Sequence, residues 1–142
     1  MRKLIFVLPV AIFMTFFTSC GSQNETSTNV ETNATTVVYE NVNAVVFADL
    51  IKEKNTVLID VRTAGEFAQG HIQGAKMITV TTGDFAKKIN NLDKSKTYLV
   101  YCRSGNRSGK AMSKMKSAGF VNVYNLNGGI RAWGAAGMKL VK

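Results

Sequence analysis

From residue 37 onward the chain alternates two hydrophobic rhythms. Short runs rich in β-branched and aromatic residues, at 56–61, 76–80, 97–101 and 121–124, read as strands. The run at 56–61 is the near-continuous apolar kind that parallel sheets bury on both faces. Residues 37–39 add a short edge strand. Between these runs, apolar residues recur at helical spacing. Asn43 is placed to cap a helix carrying Ala44, Val45, Phe47, Ala48, Leu50 and Ile51. Residues 63–69 read as a short helix ended by Gly70, and 84–92 as one that turns Phe85, Ile89 and Leu92 inward. A further helix over 108–118 stops at Gly119, and 130–133 opens a last one. Strands alternating with helices predict an α/β domain over 37–142, built on a mostly parallel sheet. A chain of 142 residues has room for one such domain.

The first 36 residues follow neither rhythm. Arg2 and Lys3 precede an almost wholly apolar stretch over 4–17, and Thr18-Ser19 leads to Cys20. That is the layout of an export signal. The stretch falls short of the roughly 20 residues a membrane-spanning helix needs, and Pro9 interrupts it. The small residues before Cys20, with Gly21-Ser22 after it, resemble the cleavage box of bacterial lipoproteins. The resemblance implies that residues 1–19 are removed and that Cys20 becomes a lipid-modified N-terminus. An ordinary secretory signal and an uncleaved anchor are the alternatives. Residues 20–36 are Ser, Thr, Asn and Glu with almost nothing apolar, so they cannot offset their ordering entropy and are expected to form a flexible tether. The protein is thus expected to be exported and membrane-anchored, facing the periplasm or the cell exterior of a bacterium.

Charge adds one feature. The formal net charge is +9, or +7 once Arg2 and Lys3 leave with the signal. Residues 84–116 carry nine Lys and Arg against Asp84 and Asp93. Such a field can draw a small anion inward, although a solvated lysine face or attraction to anionic lipid explains the lysines more simply. Nucleic acid is not an expected partner, because no binding module is recognisable.

The chemistry concentrates where the strand at 97–101 ends. Cys102 follows it, and a polar loop, Arg103-Ser104-Gly105-Asn106-Arg107-Ser108, leads into the next helix at about residue 107. Amides of a tight loop at a helix start converge on one point and favour negative charge there. A thiol so placed beside arginine falls from about 8.5 to roughly 3.5–7.5. If Cys20 is lipidated, Cys102 is the only free thiol of an exported chain, which invites a functional reading. The alternative is a buried, inert core thiol. With one histidine and one free cysteine, no metal-ligand cluster is expected.

Four motifs in order then resemble the landmarks of the rhodanese-like sulfurtransferases: Asp60-Val61-Arg62-Thr63-Ala64-Gly65-Glu66-Phe67, Gly70-His71-Ile72-Gln73-Gly74-Ala75, the Cys102–Ser108 loop, and Gly128-Gly129-Ile130-Arg131-Ala132-Trp133. The resemblance implies a single rhodanese-like domain, with a mostly parallel five-stranded sheet flanked by helices on both faces. It implies a persulfide on Cys102, loaded from thiosulfate or another persulfide and discharged to cyanide or a thiol. Amides from Arg103 to Ser108 would hold the outer sulfur, and Arg103 and Arg107 the anionic donor. Asp60, Arg62 and Glu66 are expected to form a charge-linked scaffold beneath the loop, with Arg62 and Glu66 meeting on one helical face. His71 belongs to a turn away from the thiol and is expected to hydrogen-bond structurally. Cysteine-based phosphatases resemble this loop but place five residues between Cys and Arg, where here there are four. A binding or sulfur-sensing module, and phosphatase or arsenate-reductase chemistry, remain the alternatives.

Overall fold

The computed structural model describes residues 36–142. Five strands, β1 (Val38–Val42), β2 (Thr56–Asp60), β3 (Lys76–Met77), β4 (Thr97–Tyr101) and β5 (Asn122–Leu126), form one sheet in the order β1-β5-β4-β2-β3, every pair parallel. Five helices connect or follow them: α1 (Ala44–Leu50), α2 (Ala64–Gln69), α3 (Phe85–Asn90), α4 (Asn106–Ser117) and α5 (Gly129–Ala135). The predicted α/β sheet of five parallel strands is the one observed.

Period-two alternation along the strands builds two cores. Tyr98, Val100 and Cys102 turn to one face, where Phe85 and Ile89 of α3 and Ala111 and Met115 of α4 cover them. Leu99 and Tyr101 turn to the other, against Phe47 of α1 and Trp133 of α5. β4 sits mid-sheet with every residue from Tyr98 to Tyr101 buried. From β2 the chain moves outward to β3, and from β4 it moves the other way to β5. The crevice at the carboxyl ends of β2 and β4 is therefore the topological switch point, where open parallel sheets bind ligands.

Capping residues set the helix starts. Asn43 Oδ1 accepts the Val46 amide at 3.0 Å, as its position predicts. Thr63 and Glu66 form a reciprocal capping box at the head of α2. Several expected elements differ in extent. β3 ends at Met77 and not at residue 80, although Ile78 and Val80 still donate to the Asp60 and Val61 carbonyls at 2.9 and 3.2 Å and pack against the core. β5 runs on to Leu126 through Asn125, a polar residue that masks the strand rhythm. α4 begins at Asn106 because Gly105, at φ 92°, reverses the chain directly after the loop. The signal, tether and Cys20 expectations lie outside the described residues.

Candidate active site

Cys102 leaves the end of β4 and is fully buried. Its Sγ accepts the Gly105 amide at 3.1 Å and the Ser108 hydroxyl at 3.4 Å. Burial pushes the thiol up, but the Ser108 hydroxyl and the amides of Ser108, Ser104 and Gly105 outweigh it and leave the thiol below its ordinary value. An inert core thiol has no such donors. Cys102 therefore combines the burial of a core residue with the polar surroundings of an anion site.

The loop that supplies these donors is braced from two sides. The Gly105 carbonyl accepts Asn125 Nδ2 at 3.2 Å and the Gly109 amide at 2.9 Å, and Ser108 Oγ, whose one proton serves either this carbonyl or Cys102 Sγ, lies 3.1 Å away. Asn125, which the sequence reading passed over, is thus a loop-positioning residue; its signal was a polar side chain at an inward position of a strand, two after Val123. On the other side, the start of α5 abuts the loop backbone. Ile130 donates to the Cys102 carbonyl at 2.8 Å and Arg131 to the Arg103 carbonyl at 3.3 Å. A Cβ on Gly129 would lie 2.4 Å from the Cys102 oxygen, so only glycine permits this approach.

The charged residues sort differently from the expected scaffold. Asp60, at the end of β2, accepts the Arg62 amide at 2.9 Å and its guanidinium at 2.7–3.0 Å, and Arg62 also donates to the Gly70 carbonyl at 2.7 Å. Arg62 and Glu66 do not meet, because Arg62 precedes α2 and folds back onto Asp60. Glu66 instead holds Arg107 through two bonds of 2.6 and 2.7 Å, joining α2 to α4. Arg107, expected to hold substrate, is therefore occupied by a carboxylate. The Arg107 bond, working against partial burial, lowers the Glu66 carboxyl from 4.5 to about 2. Arg107 is raised above its ordinary value by Glu66 first, and the Cys102 sulfur beside it adds to this.

The remaining residues fall into place around that frame. Arg103, Ser104 and Asn106 are exposed; Gly105 and Ser108 are buried. His71 is stacked on Phe67 of α2 with ring centroids 3.8 Å apart, its Nδ1 3.2 Å from the Phe67 carbonyl and its backbone paired with Val141. Among the described residues no group of three His, Cys, Asp or Glu side chains converges to hold a metal.

The profile of the Rhodanese-like domain matches residues 43–136, more than half of the chain and the whole of this site. The chain belongs to the rhodanese-like family. The rhodanese-like domain is 38% identical over 77 residues to uncharacterized protein YqhL of Bacillus subtilis, a match covering 54% of this chain and 60% of that one. It is 36% identical over 87 residues to thiosulfate sulfurtransferase GlpE of Pseudomonas fluorescens, covering 61% and 77%. Among solved structures it is similar to a rhodanese-related protein of Thermoplasma volcanium, with 30% identity, a TM-score of 0.64, and 72% and 98% of the two chains covered.

Proposed function

We propose that this rhodanese-like protein is a sulfurtransferase that carries sulfane sulfur on Cys102. The observation that carries the reading is the pair of donors, Gly105 N–H and Ser108 O–H, aimed at a thiol that they hold below its ordinary value. A thiolate is both the nucleophile that takes a sulfur and the group that gives it up. With thiosulfate, the Cys102 thiolate attacks the outer sulfur; a Cys102 S–S bond forms, the thiosulfate S–S bond breaks, and sulfite leaves with the bonding pair. The resulting persulfide anion then passes its outer sulfur to cyanide or a thiolate acceptor, and the Cys102 thiolate returns. Loop amides that face Sγ would lie near the outer sulfur and its charge. The name of the Pseudomonas relative agrees with thiosulfate as a donor.

Phosphatase chemistry fits less well. The loop has four residues between Cys102 and Arg107, and the Arg107 guanidinium, which would have to hold a phosphate, is spent on Glu66. A sulfur-sensing or binding module draws support from the complete burial of Sγ. Mass spectrometry of the full-length protein after thiosulfate separates these readings. Wild type is expected to gain one sulfur atom that Cys102→Ser does not, and to lose it to cyanide as thiocyanate over many cycles. No gain from thiosulfate or any persulfide overturns the sulfurtransferase; a gain without repeated turnover leaves the sensing module. We also propose, from the lipoprotein-like layout of residues 1–22 alone, that the domain lies outside the cytoplasm, held to a membrane by a lipid on Cys20.

A further inference from the structure

Four arginines border the crevice beside Cys102, and two of them are neutralised. Arg62 is paired with Asp60 and Arg107 with Glu66. Arg103 and Arg131 are exposed and carry no ion pair among the described residues. Their proximity is set by backbone, through the Arg131 amide on the Arg103 carbonyl and the close fit of Gly129 against the loop. Both line one cleft of about 310 Å³, completed by Arg62, Glu66, Gln69 and Ile130. That volume is at the small end of organic ligand sites. Its wall thus offers two unspent guanidinium forks and an aliphatic side chain, and one of the two arginines is the residue that follows the buried Cys102.

We propose that Arg131, with Arg103, is a specificity-determining pair that binds the carboxylate of an organic persulfide, RSSH, while its sulfur end reaches Cys102. The inference rests on the sulfurtransferase reading and narrows its donor class. Thiosulfate carries its charge on the transferred sulfur and on the oxygens of the adjoining sulfonate group, so loop amides and Arg103 suffice for it. A carboxylate separated from its persulfide by a short hydrocarbon spacer instead reaches the cleft, where the guanidinium forks match its two oxygens and Ile130 faces the spacer. Transfer balances: the Cys102 thiolate attacks the outer sulfur, the new S–S bond forms, the donor S–S bond breaks, and RS⁻ leaves while the proton stays on the transferred sulfur.

The test compares two donors of equal chain length on the full-length protein, the persulfides of 3-mercaptopropionic acid and of 3-mercapto-1-propanol, reading kcat/KM and the mass of Cys102. Wild type is expected to favour the acid, and added salt to erode that preference. Arg131→Ala should cut the acid-to-alcohol ratio about fivefold, the size of a partly exposed ion pair, with partial recovery in Arg131→Lys and none of the effect in Lys52→Ala. Equal use of both donors by wild type, or a ratio unmoved by Arg131→Ala, overturns the inference while sulfur loading of Cys102 keeps the parent reading. Failure of every donor, thiosulfate included, to load Cys102 overturns both.

Discussion

At Cys102 two forces act on one sulfur in opposite directions: burial favours the neutral thiol, and the Gly105 amide with the Ser108 hydroxyl favours the thiolate. Ser108 is the cleaner of the two to remove, because its hydroxyl is fully buried and its backbone sits within the first turn of α4. A hydrogen bond to a charged group is worth about 1.5–3 kcal/mol, and one pKa unit corresponds to about 1.4 kcal/mol. Ser108→Ala should therefore raise the Cys102 midpoint by about one unit. Thiolate ultraviolet absorbance, taken as the difference between each protein and its Cys102→Ser partner, measures this without needing a reagent to enter the site. Since the folded pKa is depressed, the thiolate dominates above the folded midpoint in wild type, and that midpoint moves upward in the variant. An unchanged midpoint would mean that the amides alone hold the charge. The identity of the cysteine and its loop was legible in the sequence; the balance between burial and hydrogen bonding was not, because it depends on which face of the sheet Cys102 turns to.

At the scale of elements, the strand and helix rhythms located every element, and their ends were set by contacts the rhythm does not encode. β5 extends because Asn125 finds Asn41 and the Gly105 carbonyl as partners, so a polar residue stays in a strand interior. The Glu66–Arg107 pair joins residues 41 apart, and the pairing of β2 with β4, whose carboxyl ends lead toward α2 and α4, brings them together. Asp60 and Arg62 were expected to support the loop, and their geometry allows a direct test. Both are buried, and three of the bonds that satisfy the guanidinium end on Asp60. Such a pair adds little net stability, but removing one partner leaves a buried charge unmatched, at about 3–5 kcal/mol. Asp60→Ala should lower stability by that amount in urea unfolding with an unchanged m value. The double variant Asp60→Ala/Arg62→Ala should cost less than Asp60→Ala alone, because it removes the charge left unmatched in the single variant. Additive losses would show that Arg62 is satisfied without Asp60.

At the scale of the whole molecule, the open question is where a basic, rhodanese-like domain works. No helix among the described residues is long and apolar enough to cross a membrane. Attachment would therefore rest on residues 1–20 and on charge. These two contributions respond differently to salt. A chain of net charge +7 once residues 1–19 are lost, held by anionic lipid, detaches when ionic strength shortens the Debye length to a few ångströms. An acyl anchor, whose hold grows by about 0.8 kcal/mol per buried CH₂, does not. The proposal of a lipid on Cys20 accordingly predicts that wild type stays with membranes through a high-salt wash, and that its mass lacks residues 1–19 and carries acyl groups. Cys20→Ala should lose the acyl mass and leave the membrane when washed. If the variant instead remains bound after washing and keeps residues 1–19, the apolar stretch over 4–17 is itself the anchor and Cys20 is not its attachment point. Should wild type wash off with salt, the surface lysines of residues 84–116 would account for membrane binding, and the lipid proposal would be wrong.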